Sequence, residues 1–387
     1  MIKAVALGAL LQAVSAVPAA SQHSHRNLKV VKTTKVGDQV IDWVVKESQG
    51  KIATPPPHPP AGAKRSTGDP SIKQANPLLT AQHEAGPAGT VPMVRQTKQF
   101  PAKRLPQASD HNVTSTLGKR GYAGTHWYAS SNQNVRNHGG GAQFNIYDTY
   151  LESDYDFSLL QTAVTVGSAP QADGSSRGQT VEAGWMHYPY LVNNGPFLFT
   201  YYTTNGYSQQ GDNKGGYNSF QAGWVQVDKD IYPGIHFGPL SQRGGAQYEF
   251  TLQYQLFQGN WWLYVGDRFI GYYPASVFSQ GVDPNQTLAT HSDVILFYGE
   301  VVNSQDGLTT TDMGSGNFPE SGFGQAAYIR NIIYIDEAGN GQGYDAHGAF
   351  VISDTNRYRL QDHWNSGTDW GSHMFLGGPG AGGVVGG

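Results

Sequence analysis

The sequence contains no cysteine. That excludes disulfides, thiolate nucleophiles and cysteine-based metal sites. Long apolar runs are missing too: the hydrophobic stretch near the N-terminus falls short of the ~20 residues that span a bilayer, and no later segment approaches that length. After Gly121 there is almost no helical periodicity. None of the eight histidines beyond that point falls in a His-Glu-x-x-His pattern, and no tight His/Asp/Glu cluster appears. Zinc hydrolysis is therefore not expected. No phosphate-cradling glycine loop follows a strand and opens a helix, which argues against nucleotide binding. Neither a metal nor a cofactor is expected, and no membrane partner.

What the chain does have is an N-terminal address. Lys3 precedes a short apolar run, and small residues permit cleavage after Ala16 or Ala19, so residues 1–19 read as a secretory signal peptide and the protein as secreted and extracellular. Two sequons, at Asn112 and Asn285, fit N-glycosylation in such a setting. Charge is divided unevenly, with residues 1–120 carrying a net +10 and residues 121–387 a net −14. A basic block of this kind often marks a nucleic-acid partner. Here the acidic remainder of the same chain is the nearer one, and an attraction between the two halves weakens as carboxylates protonate.

Residues 20–120 read as a basic, proline-rich activation segment and linker. Leu28–Thr34 and Gln39–Lys46 are predicted strands about a Gly37-Asp38 turn. From Lys51 to Arg120 the chain holds 11 of its 21 prolines and no sustained periodicity, as expected of an exposed linker. Dibasic pairs at Lys64-Arg65, Lys103-Arg104 and Lys119-Arg120 suit processing, the last most of all because composition changes immediately after it. Residues 121–387 are rich in Gly, Tyr, Trp and Phe. Phe197–Thr203 runs into Asn205-Gly206, a strong hairpin signal. Tyr248–Phe257, WWLYV and FIGYY alternate with tight glycine turns. This pattern predicts an all-β fold, an antiparallel, jelly-roll-like β-sandwich with a small N-terminal pro-domain. The tail LGGPGAGGVVGG reads as a closing loop and frayed end. Gly174–Gly178 satisfies G-x-S-x-G but sits in a polar loop leading to a strand, without the strand, sharp turn and helix that a serine nucleophile needs.

Two glutamates stand out. Glu182 lies in QTVEAGWMHYP, and Glu300 ends HSDVILFYGEVV, each inside a run that otherwise suits a buried strand. A glutamate so placed loses hydration and persists only if paired, hydrogen-bonded or partly protonated. The bland account is a strand-end residue on a polar face or paired with an arginine. Alternation puts Thr180, Gly184 and Met186 on the face of Glu182, and Leu296 and Tyr298 on that of Glu300. If both faces share one concavity, desolvation and repulsion give a proton-sharing pair. Such a pair suits a peptidase, with one member activating water and the other protonating the leaving nitrogen. It equally suits a glycosidase or polysaccharide hydrolase. A non-catalytic carbohydrate- or cell-wall-binding sandwich is a third reading. Thr180, Trp185 and Tyr298 are the expected substrate-lining residues.

Several separate motifs, in order along nearly the whole chain, resemble the neprosin family of secreted glutamic peptidases. They are the two glutamate strands, NWWLYVGDRFIGYYPASVF (Asn260–Phe278), TDMGSGNFPESGFGQAAYIRNI (Thr311–Ile332), FLGGPG (Phe375–Gly380) and, in the leader, VGDQVIDWVV (Val36–Val45) followed by prolines. The resemblance implies a β-sandwich endopeptidase made as a zymogen, active in acid and cleaving proline-containing peptides after proline. It matches Glu182 to the family's E-A-G-W glutamate and Glu300 to its G-E-V glutamate as the catalytic pair. Plant members carry cysteines in the leader and the sandwich, where this chain has Trp43 and Gly216-Tyr217-Asn218. The leader is then an intramolecular inhibitor, with Pro55–Pro60 expected against the cleft as an uncleavable imitation of substrate.

Overall fold

The computed structural model describes residues 28–57, 71–74, 85–96 and 124–387. Residues 1–19, the Asn112 sequon and all three dibasic pairs, Lys119-Arg120 included, lie outside them. Twenty strands run in order among the described residues: β1 (Val30–Val36), β2 (Gln39–Val45), β3 (Ile72–Gln74), β4 (Thr90–Val94), β5 (Thr125–Asn137), β6 (Gly139–Asn145), β7 (Phe157–Pro170), β8 (Ser176–Tyr188), β9 (Val192–Thr203), β10 (Gly215–Tyr217), β11 (Val225–Gln226), β12 (Gln247–Phe257), β13 (Asn260–Val265), β14 (Arg268–Pro274), β15 (Ser292–Asn303), β16 (Ala327–Ile335), β17 (Gly341–Gly343), β18 (Gly348–Ile352), β19 (Arg359–His363) and β20 (His373–Gly377). The helical turns among these residues are short 3-10 pieces.

Two sheets form the sandwich. One has seven strands in the order β10-β9-β8-β7-β15-β5-β18; the other has ten, with β11-β14-β13-β12-β6-β16-β20-β19 as its path, β17 on β16 and β3 on β12. Pairing is antiparallel except where β3 joins β12. Alternation decides which side chains meet between the sheets. From the seven-stranded sheet come Val181, Ala183 and Trp185 of β8 and Ile295, Phe297 and Val301 of β15; from the other come Phe250, Leu252 and Tyr254 of β12 and Trp261 and Leu263 of β13, all in one buried cluster. Each such side chain contributes about 1.5–3 kcal/mol by leaving water. Polar ends of the aromatics bridge the layers: Trp185 Nε1 donates to the Asn145 carbonyl (2.8 Å) and Tyr254 Oη to that of Glu182 (3.1 Å).

The predicted meander is present as β12, β13 and β14. Three expectations need correction. Asn205-Gly206 does not form a tight hairpin: β9 ends at Thr203 and β10 starts at Gly215, so the dipeptide opens a long loop. The proline-rich stretch is not merely linker, because β4 completes a three-stranded sheet with β1 and β2, and β3 extends the ten-stranded one. The C-terminal tail is docked rather than frayed. Gly386 N–H donates to Asp312 Oδ2 at 3.0 Å, and a Cβ on Gly378 would lie 1.9 Å from the Arg357 carbonyl oxygen, so only glycine fits.

The N-terminal sheet packs into the same apolar cluster through Ile41, Trp43 and Met93. It is fastened by Gln39 Nε2 to the Gly234 carbonyl (2.8 Å) and by Gln49, whose amide pairs with both the N–H and the carbonyl of Gln226. Ala53 N–H donates to Tyr272 Oη on β14 (3.0 Å). The described part of the proline run, Pro55–Pro57, therefore follows an anchor on the ten-stranded sheet, not on the sheet that carries both glutamates. His58–Pro60 lie outside the described residues.

Two tests of the architecture follow from close contacts. A Cβ at Gly184 would sit 2.0 Å from the Leu160 carbonyl oxygen and 2.7 Å from Gln161 Cα. Gly184→Ala should therefore cost about 3 kcal/mol or more in urea unfolding, since β7 must move away; a loss below about 1 kcal/mol would contradict this contact. The second concerns Asp312, fully buried with Oδ1 unpartnered, whose pKa burial pushes from 3.8 up to about 7 against the opposing Gly386 hydrogen bond. A folded-state pKa above the unfolded one gives stability that is full below about pH 4 and lost as pH rises towards 7. Asp312→Asn should remove that slope, on the order of 2–4 kcal/mol across this window, in melting curves recorded from pH 4 to 7.5.

Candidate active site

β8 and β15 flank β7 in the seven-stranded sheet. Glu182 is level with Ala163, which is level with Leu296; Glu300 is level with Leu159, which is level with Met186. Leu296 and Glu300 are four residues apart, an even number, so both glutamates project from the same face, the one turned away from the shared core. Each is fully buried. Between them stand Gln161 on β7 and Tyr298 on β15, with Tyr128 on β5 and Tyr201 on β9 level with Glu300 and Glu182.

The two carboxylates are satisfied in different ways. Gln161 Nε2 and Tyr207 Oη each donate to Glu182 at 2.7 Å, to Oε2 and Oε1 respectively, and Tyr298 Oη reaches Oε2 at 3.4 Å. Gln161 Nε2 also contacts Tyr298 Oη, which ties these donors into one network. Burial first, then the charge of Glu182, raises the hydroxyls of Tyr207 and Tyr298 well above their ordinary pKa of 10, so both stay protonated donors. Glu300 instead meets a histidine: His126 Nδ1 of β5 lies 2.6 Å from Oε1, with the imidazole stacked near Tyr128 and edge-on to Phe157.

Of the expected lining residues, Tyr298 is part of the network. Thr180 shares the face of Glu182, its hydroxyl donating to the Val164 carbonyl (3.0 Å). Trp185 was placed wrongly: an odd number of residues from Glu182, it projects from the opposite face of β8 and is fully buried in the core between the sheets. Asn285 is exposed, with its backbone and side-chain amides donating to Asp283 Oδ1. Gly174–Gly178 spans the β7–β8 turn and leads into a strand. Sequence reasoning missed Gln161, His126 and Tyr207. Gln161 had a signal of the same kind as Glu182, a polar residue within the apolar run FSLLQTAVTV; the other two had none.

The arrangement defines a β-sandwich with two fully buried acids on one face of one sheet. The sequence profile of the family described as Neprosin matches residues 154–379, and the chain belongs to that family. Among solved structures it is similar to scytalido-glutamic peptidase bound to a peptide-based transition-state analogue, at 6% identity over 66% of this chain and 98% of that one with a TM-score of 0.33. It is also similar to an apo Crh5 transglycosylase, at 12% identity over 71% and 84% of the two chains with a TM-score of 0.24. Likenesses this distant carry no weight for the chemistry.

The His126 contact is testable by itself. His126→Ala, which withdraws a hydrogen bond from a buried carboxyl group, should lower stability by about 1.5–3 kcal/mol in denaturant unfolding. His126→Asn, which retains a donor, should lose less; equal losses would mean that packing rather than the hydrogen bond matters.

Proposed function

We propose that the protein is a secreted acid glutamic endopeptidase, made as a zymogen and cutting peptide chains on the C-terminal side of proline. The observation that carries the reading is the pair of fully buried glutamates on one face of one sheet, each held by its own donors, in a chain of the neprosin family. One glutamate takes a proton from a water that adds to the scissile carbonyl carbon; on collapse the C–N bond breaks and the other, carrying the shared proton, donates it to the departing nitrogen. The products are a carboxylic acid and an amine, and no metal or cofactor enters the balance.

The net +10 of residues 1–120 against the net −14 of the remainder supports a leader that restrains the enzyme near neutral pH and loosens in acid. Cleavage near Lys119-Arg120 would then free the catalytic unit. Glycosylation at Asn285, exposed in a surface turn, and at Asn112 belongs to the same secreted reading.

The test is an assay of acid-processed protein on proline-containing peptides from pH 3 to 7, beside Glu182→Gln and Glu300→Gln. Each variant should lose about 10³-fold or more in kcat while keeping its fold. Wild-type activity in either variant removes that residue from the mechanism. Release of reducing sugar from polysaccharide without peptide cleavage would replace the peptidase by a glycosidase built on the same pair.

A further inference from the structure

Resting on the glutamic-peptidase reading, we propose that Tyr207 is a third catalytic residue, whose hydroxyl turns from Glu182 to donate to the oxyanion formed when water adds to the scissile carbonyl.

The donors to Glu182 differ in where they come from. Gln161 and Tyr298 are fully buried on strands and both address Oε2. Tyr207 comes from the loop between β9 and β10, is only half-buried, and addresses the other oxygen, Oε1. It is the most exposed of these three donors and the one not fixed by a strand ladder. Its hydroxyl sits 2.7 Å from a carboxylate oxygen of the pair assigned to the chemistry.

The loop is built to hold that hydroxyl in place. Tyr207 has φ +62°, a left-handed conformation that a bulky side chain adopts only under constraint, and residues held so cluster at functional sites. The constraint is visible. Thr203 Oγ1 accepts the N–H groups of Asn205 (3.2 Å) and Tyr207 (3.0 Å), and Gly206 N–H donates to the Gly178 carbonyl at the start of β8 (2.8 Å). The ring stacks on Tyr201 with centroids 5.8 Å apart and planes within 17°, and Tyr201 packs edge-on to Tyr217.

Proton bookkeeping is simple. Water oxygen bonds to carbon, the carbonyl electron pair moves to oxygen, and Tyr207 donates a hydrogen bond to that oxygen without giving up its proton. Burial keeps the phenol protonated throughout the acidic range, so it serves as a neutral donor there. When the C–N bond breaks, the pair returns to the carbonyl and the hydroxyl is free to swing back to Oε1.

The experiment uses Tyr207→Phe in the full chain, processed in acid, with wild type and Glu182→Gln alongside. The phenylalanine keeps the ring stack but withdraws one hydrogen bond from Glu182, so the variant should stay folded with a stability loss of about 1–3 kcal/mol, and kinetics are compared at a temperature where both proteins are fully folded. We expect kcat to fall about 10²- to 10³-fold with KM within about threefold. Affinity for a phosphinate peptide that mimics the tetrahedral intermediate should fall in step with kcat/KM, while affinity for a non-cleavable substrate-like peptide stays unchanged. A Tyr207→Phe variant with kcat within threefold of wild type, or one altered only in KM, beside an inactive Glu182→Gln, overturns the role of Tyr207 and leaves the peptidase reading intact. An active Glu182→Gln overturns both.

Discussion

Everything at this site depends on one constraint: a carboxylate taken out of water must recover its lost hydrogen bonds from the protein. Among the described residues three glutamates are fully buried, and they meet that demand in contrasting ways. Glu249 on β12 takes the ordinary structural solution, a two-pronged contact with Arg330 at 2.6 and 2.7 Å, with Tyr328 adding a third donor. Its charge is cancelled and its oxygens are occupied. Glu182 draws on an amide and two phenols, Glu300 on an imidazole. A guanidinium brings a permanent positive charge to the carboxylate it holds, whereas the amide and phenols at Glu182 bring none.

That contrast also shows what the sequence could and could not reveal. Glu182 and Glu300 were visible because each interrupts an apolar strand, and strand alternation alone was enough to name Tyr298 and Thr180 as neighbours. Glu249 interrupts its own strand, YEFTLQYQLF, in the same manner, so the interruption marks burial and not chemistry. Only the identity of the partner separates the cases, and the partners lie 21 to 174 residues away along the chain. Trp185 was misplaced because proximity in sequence was allowed to outweigh the two-residue period of a strand. His126 and Tyr207 were illegible for a simpler reason: a histidine at the start of a strand and a tyrosine in a loop carry no pattern until a register brings them together.

The leader and the tail illustrate the same limit for the fold. Proline-rich composition gave no sign of a strand between Lys51 and Arg120, yet TVPMV forms β4, because Pro92 can occupy an edge strand where its missing N–H is not needed. The glycine-rich tail looked free because glycine permits mobility. Here glycine permits contact instead. Gly377, Gly378 and Gly380 all have positive φ and lie so close to neighbouring backbone that any side chain would collide. The residue that gives a chain the most freedom in isolation also allows it the closest approach in the folded state, and composition does not distinguish the two.

Finally, the strand that bears Glu182 shows why scaffold and site are hard to separate in this protein. Odd-numbered Val181, Ala183 and Trp185 build the core between the sheets, while even-numbered Glu182 projects from the opposite face beside Gly184, whose missing side chain lets β7 come close enough for Gln161 to reach the carboxylate. The Glu182 carbonyl is pinned from behind by Tyr254 and Thr200, so its side chain starts from a fixed point on the sheet. Core packing thus sets the position of the acid to within a hydrogen bond's tolerance, and the loop that carries Tyr207 needs only to close on a target that does not move.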